Sequence, residues 1–299
     1  MCGERGVGEH IPSKIEKLSA GLKLIRPLNC LLAGIAVIIG AFVAGGKGDW
    51  YFYLLAFLTA FMISGGGNAI NDFFDRKIDK INRPDRPIPS GKIKPAEAVK
   101  ISKILFLAGF ATATLMRNMP CLLLAGFNAL MLVAYSARLK RTGLPGNITI
   151  GYLVGSTFLF GGIALYPFRQ EFLPASLLLL VLLSFFSTVG REIIKSIQDF
   201  EGDKRLGLET FPIRYGKRTG AAVASMFVLI AICLSPLPLV CGILRTGYVL
   251  FLPMSLFAFI TAIGEIVKAQ TKKSAAMASN YCKLGMFFGL LSFMAGTIF

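Results

Sequence analysis

Histidine is nearly absent from this chain: His10, close to the N-terminus, is the only one in 299 residues. That excludes a three-histidine zinc site and a Ser-His-Asp relay, and leaves no haem ligand other than His10 itself. Cysteine offers no substitute. The six cysteines (Cys2, Cys30, Cys121, Cys233, Cys241 and Cys282) show no C-x-x-C spacing. Most fall inside apolar stretches, where they read as small packing residues and not as disulfides or metal ligands. Charge is also scarce: 16% of residues are charged against 55% hydrophobic, with mean hydropathy +0.66. Soluble domains seldom combine so much apolar sequence with so little charge. A cleavable signal is not expected, because residues 1–23 are polar and charged and lack a short apolar core before a small-residue cleavage site.

The chain has long apolar runs instead. Nine approach or exceed the roughly 20 residues that cross a bilayer as a helix. They lie near 27–45, 50–75, 99–116, 120–138, 147–166, 172–197, 219–241, 246–267 and 281–299. A water-soluble all-α bundle would need polar outer faces on these helices, and 172–190 and 221–241 have almost none. The expected fold is therefore an all-α membrane protein with nine transmembrane helices, forming one domain over 1–299.

The net charge of +16 does not point to nucleic acid, because of where it lies. With nine spans, 28 of the 32 Lys and Arg residues fall on one side, and Lys47, Arg117, Arg169 and Arg245 fall on the other. This is the positive-inside pattern of a multi-pass cell-membrane protein, with the basic side cytoplasmic and the C-terminus outside. Some of that charge is suited to anionic lipid headgroups. Residues 1–24 form a cytoplasmic segment in which Ile15, Leu18, Leu22 and Ile25 recur at helical spacing beside Lys14, Lys17 and Lys23. Such a segment can lie along the membrane surface.

Two acidic clusters end two of the apolar runs: Asn71-Asp72-Phe73-Phe74-Asp75-Arg76-Lys77-Ile78-Asp79 and Asp199-Phe200-Glu201-Gly202-Asp203. Asn71, Asp75 and Asp79 share one helical stripe, and Asp199 and Asp203 are again four apart. Like charges at that spacing repel, and the C-terminal end of a helix disfavours anions. Both clusters therefore need a cationic partner. Both follow even-numbered spans, so both reach the cytoplasmic side. Together they read as two halves of one divalent-metal site, and Mg²⁺ fits because it shares hard oxygen ligands with substrate phosphates. The plainer reading pairs the carboxylates with Arg76, Lys77, Lys80 and Lys204. A cation-transport lining is a third reading, but apart from Glu265 no acidic residue lies deeper in other spans.

Cations surround the clusters. Asn82-Arg83-Pro84-Asp85-Arg86-Pro87-Ile88-Pro89-Ser90-Gly91 is stiffened by proline, and Arg83 and Arg86 present forks suited to phosphate. The stretch from Tyr135 to Arg141 adds Lys140, Arg141 and the Tyr135 phenol. Arg191 and Lys195 precede Asp199 on its own helical face. These seven residues, Arg83, Arg86, Tyr135, Lys140, Arg141, Arg191 and Lys195, are the candidate substrate-binding set. Gly65-Gly66-Gly67 follows an apolar helix and not a strand, so it reads as helix packing, with room for a lipid chain as the functional alternative.

The paired clusters resemble the N-D-x-x-D-x-x-x-D and D-x-x-x-D signatures of the UbiA superfamily of intramembrane prenyltransferases, and the likeness covers most of the chain. It implies nine helices around a central cavity with cytoplasmic cap loops, Mg²⁺ as cofactor, and a prenyl diphosphate donor with a lipid-like acceptor. It also implies that Asn71, Asp75, Asp199 and Asp203 hold the metal, supported by Asp72 and Asp79. Asp72, Asp75, Asp199 and Asp203 would form the catalytic set. The run from Asp79 to Gly91 is shared with the archaeal digeranylgeranylglyceryl phosphate synthase branch and with chlorophyll synthases. The run from Gly190 to Asp203 is closer to the ether-lipid branch, although Ser196 stands where that branch commonly has an acidic residue. The implied reaction is transfer of a prenyl group to the glycerol hydroxyl of geranylgeranylglyceryl phosphate. An aromatic acceptor, a chlorophyll-type acceptor and a lipid carrier without catalysis are the alternatives.

Overall fold

The computed structural model describes residues 13–46, 48–165 and 173–299. His10, Lys47, Arg169 and the first twelve residues of the N-terminal segment lie outside the described residues. Every regular element within them is helical. In chain order the helices are α1 (Lys14–Ile25), α2 (Pro27–Val43), α3 (Trp50–Asn82), α4 (Pro95–Leu115), α5 (Met119–Ala137), α6 (Leu144–Leu165) and α7 (Ala175–Gln198). They continue as α8 (Phe200–Arg205), α9 (Phe211–Tyr215), α10 (Lys217–Leu234), α11 (Leu237–Val240), α12 (Leu252–Lys268) and α13 (Lys272–Ile298). Two 3₁₀ turns, Leu139–Arg141 and Thr246–Leu250, join neighbours.

The chain is a multi-pass membrane protein. Among the described residues seven helices are long and apolar enough to cross a bilayer: α3, α4, α5, α6, α7, α10 continued through α11, and α13. An eighth crossing results if α1 and α2, bent by 43° at Arg26, form one span. Seven or eight of the nine expected runs pass on length and apolarity, and the ninth, 246–267, forms a shorter helix. The run 246–267 is interrupted: its first turn is 3₁₀, and α12 proper has only 17 residues after Phe251.

Other boundaries move for local reasons. α3 does not stop near residue 75. Nothing breaks it before Pro84, so it runs for 33 residues, or about 50 Å at 1.5 Å per residue, longer than a bilayer core. α13 begins at Lys272, where Thr271 and Ser274 form a capping box. Lys283 therefore lies inside a helix and not at the end of a loop.

α1 starts with a second capping box, between Ser13 and Glu16. Its Ala20 and Leu24 are buried against Ala69 of α3 and against Ile88, Ile93 and Ala98. Ile15, Leu18 and Leu22 stay exposed on its other side.

Close approach of backbones sets the helix spacing. A Cβ on Gly161 of α6 would sit 1.8 Å from the Val37 carbonyl oxygen of α2, and one on Gly40 would sit 2.1 Å from that of Phe158. Small residues allow this contact, which suits a lipid environment where burial alone supplies little attraction. The Gly65-Gly66-Gly67 run also serves packing: added Cβ atoms would meet Leu105 and Phe106 of α4 and Leu132 of α5.

Candidate active site

α2, α3, α5, α6, α7, α10, α12 and α13 contribute to the wall of a cavity of about 940 Å³. Its wall is mostly aliphatic and aromatic. Tyr248, Leu252 and Phe293 line it at one end, where the Tyr248 and Phe293 rings meet edge to face at 5.4 Å. At the other end Asn68 and Arg191 line it. Asp72 lies one helical turn beyond Asn68 on α3, and Asp199 lies two turns beyond Arg191 at the end of α7. Helix geometry thus puts both acidic clusters at the same end of the cavity.

The first cluster is wholly helical, and its three aspartates are buried, at 3, 7 and 5% exposure for Asp72, Asp75 and Asp79. Buried carboxylates require partners. Arg86 supplies two contacts, at 3.3 Å to Asp72 and 2.6 Å to Asp79. Arg26 pairs with Asp72 from the α1–α2 joint. Arg26 has φ of 53° and ψ of 72°, a left-handed conformation that costs a non-glycine residue about 1–3 kcal/mol. The ion pair and the following Pro27 hold it there, and Asn68 donates to the Ile25 carbonyl at 2.8 Å beside it.

Asp75 faces differently. Asn71 donates to its Oδ2 at 3.0 Å, and Lys140 pairs with its Oδ1. Lys140 sits on the 3₁₀ turn Leu139–Arg141. Gly146 of α6 backs that turn so closely that a Cβ there would lie 2.5 Å from the Leu139 carbonyl oxygen. Tyr135, on α5, lies within electrostatic range of Asp75 and of Glu192 on α7.

The second cluster is open by comparison. Asp199 caps α7 and Asp203 lies in α8, but the Asp203 N–H donates to the Asp199 carbonyl at 2.9 Å, so the helical spacing between them persists. Neither forms an ion pair among the described residues. Burial and the Asp199 charge push the Asp203 carboxyl up to about 6, against the opposing pull of Lys195 and Lys140. Lys140 therefore links the clusters: it pairs with Asp75, and its charge reaches Asp203.

Residues 33–291 match the UbiA prenyltransferase family. The chain belongs to that family. The digeranylgeranylglyceryl phosphate synthase of Methanopyrus kandleri is 40% identical over 282 residues, spanning 94% of this chain and all of that one. A solved digeranylgeranylglyceryl phosphate synthase structure superposes with TM-score 0.82 at 40% identity, covering 95% of this chain and 99% of that one. A UbiA homologue from Archaeoglobus fulgidus bound to DMAPP and Mg²⁺ has the same fold, with TM-score 0.63 at 16% identity over 94% of this chain and all of that one.

Within this UbiA chain the candidate residues separate. Asn71, Asp75 and Lys140 form one linked group, and Asp72, Asp79 and Arg86, with Arg26, form another. Arg191 lines the cavity and donates to Glu192 at 2.6 Å. Arg83, Arg141 and Lys195 are exposed and make no side-chain ion pair among the described residues. Arg76, Lys77, Lys80 and Lys204 are not the partners of the clusters; Arg76 instead lies over the Phe73 ring and donates to the Phe73 carbonyl. Arg26, Asn68, Glu192 and Lys283 did not emerge from sequence reasoning. Only the Arg26-Pro27 step, a break before an apolar run, hinted at the first.

No three acidic, histidine or cysteine side chains among the described residues form a ready metal-ligand group. The donor chemistry nevertheless suits a hard cation. Asp199 and Asp203 make no ion pair among the described residues, and Lys140, which pairs with Asp75, lies within electrostatic range of Asp203.

Proposed function

We propose that the chain transfers a geranylgeranyl group from its diphosphate to the free glycerol hydroxyl of geranylgeranylglyceryl phosphate, with Mg²⁺, on the cytoplasmic side of the membrane. The observation that carries this reading is the placement of two acidic clusters, linked through Lys140, at one end of a long apolar cavity. The 40% identity to named digeranylgeranylglyceryl phosphate synthases over nearly the whole chain favours this acceptor over an aromatic one.

Asn71, Asp75, Asp199 and Asp203 would hold Mg²⁺, whose charge would stabilise the diphosphate as a leaving group. Asp72 and Asp79, paired with Arg26 and Arg86, brace the helix that presents Asp75. Lys140 stands ready to exchange carboxylate for phosphate oxygens, and Lys195, Arg83 and Arg141 add positive charge at the mouth. The apolar cavity holds the isoprenoid and keeps water from the allylic cation. The glycerol oxygen then bonds to C1. Among the described residues there is no histidine to take its proton, which passes to an oxyanion, either the departing diphosphate or a cluster carboxylate. The basic side is cytoplasmic by the positive-inside bias, which leaves the C-terminus outside.

Diphosphate release by detergent-purified protein tests this. Geranylgeranyl diphosphate, geranylgeranylglyceryl phosphate and Mg²⁺ are expected to give release and a doubly alkylated ether, and EDTA should stop both. Release that needs a hydroxybenzoate or naphthoate would move the reading to an aromatic prenyltransferase. Metal-dependent binding without release would make the protein a carrier. The raised Asp203 carboxyl adds a pH expectation. A protonated carboxyl is a poor cation ligand, so Mg²⁺ affinity should weaken as pH falls through about 6. Titration of Mg²⁺-dependent binding at pH 5 and 7 reads this directly. Equal affinities would remove Asp203 from the ligand set.

A further inference from the structure

Among the side chains that line the cavity, two carry charge, and both are cationic: Arg191 of α7 and Lys283 of α13. Their helices pack against each other, and Arg191 lies within electrostatic range of Cys282, the neighbour of Lys283. Arg191 gives one nitrogen to Glu192, but its Nε is buried with no hydrogen-bond partner. The Lys283 ammonium has a neutral contact, the Asn280 Oδ1 at 3.2 Å, and no carboxylate among the described residues pairs with it. α13 contains no acidic residue at all. Lys283 is exposed and lies three residues into the apolar run 281–299, so its ammonium is open to an anion entering the cavity that it lines. A guanidinium with a spare N–H and an ammonium that line the same cavity suit phosphate oxygens.

This pair is separate from the cations of the carboxylate clusters. Lys140 and Lys195 act on Asp203, whereas Arg191 and Lys283 line the apolar cavity itself. Two phosphate-bearing substrates require two such places, because two anionic headgroups on one cation set would repel each other.

We propose that Lys283, with Arg191, forms the subsite for the phosphate monoester of the acceptor lipid, and that Lys283 selects phosphorylated over unphosphorylated acceptors. This rests on the proposed ether-forming reaction. The donor diphosphate stays with the carboxylate clusters and Lys140.

The test is steady-state kinetics of wild type, Lys283→Met and Lys283→Arg, with geranylgeranylglyceryl phosphate and with geranylgeranylglycerol, which lacks the phosphate. Lys283→Met should raise the KM for the phosphorylated acceptor roughly tenfold to a hundredfold, the scale of a lost hydrogen bond to a charged group. The KM for geranylgeranyl diphosphate and the thermal midpoint should stay near wild type. The preference of wild type for the phosphorylated acceptor should collapse in Lys283→Met and return in Lys283→Arg. An unchanged acceptor KM, an equal rise in both KM values, or a retained preference would each overturn the subsite. A wild-type protein that forms no ether with either acceptor would overturn the reaction assignment itself, a result distinct from any of these.

Discussion

Asp75→Ala is expected to lower diphosphate release by about a thousandfold or more, the scale at which removal of a group that stabilises transition-state charge is felt. The structure singles out Asp75 within its own cluster. Asp72 and Asp79 are engaged by arginines, whereas Asp75 points to Lys140 and through it to the second cluster. Asp203→Ala should cost a similar factor, because it removes the partly buried member of the opposing pair. The double variant should be little worse than the poorer single one, since groups that grip one cation fail together. Thermal unfolding in detergent serves as the control. Loss of Asp75 leaves Lys140 close to Asp203, so the fold should survive. Turnover within a factor of ten of wild type in Asp75→Ala would sink the metal-site assignment.

Much of this architecture was legible in the chain because a bilayer permits so little. Runs as apolar as 172–197 and 219–241 can only be membrane-crossing helices, and both are. The ends were less legible. Hydropathy locates where a helix leaves lipid, not where it stops, so α3 continued through Arg76–Asn82 until proline ended it, and α13 began nine residues before its apolar run. Where an apolar run changes helix type, as at Thr246–Leu250, composition gives no sign of it.

The site shows the same division. The spacing of Asn71, Asp75 and Asp79 pointed to one helical stripe, and Lys140, among the candidate cations, pairs with Asp75 in the structure. The partners of Asp72 were hidden, because Arg26 and Arg86 reach it from positions 46 and 14 residues away in sequence. Lys283 was hidden for another reason: counted as loop charge, it became a cavity residue only once α13 was seen to start at Lys272.

Arg86→Met is the second large effect expected, and it should appear in stability before it appears in kinetics. Sequence reasoning placed Arg86 with Arg83 as a phosphate fork, yet in the structure both Arg86 contacts are carboxylates of its own chain. Removing it leaves Asp79, 5% exposed, with no ion-pair partner, and leaves Asp72 with Arg26 alone. Breaking a buried pair from one side costs about 3–5 kcal/mol, because the abandoned charge stays buried. Arg86→Lys should recover only part of this, since an ammonium is a point charge and does not span two carboxylates as a planar fork does. Asp79→Asn added to Arg86→Met should restore stability by removing the orphaned charge, a coupling that a double-mutant cycle measures. Arg83→Ala, at an exposed position without an ion pair, should change stability by less than about 0.5 kcal/mol. Thermal midpoints in detergent, with and without prenyl diphosphate, decide the matter. If Arg86 served chiefly as a phosphate ligand, Arg86→Met would keep the wild-type midpoint without substrate and lose only the ligand-induced rise. A brace for the Asp75 helix predicts a lowered midpoint in both conditions.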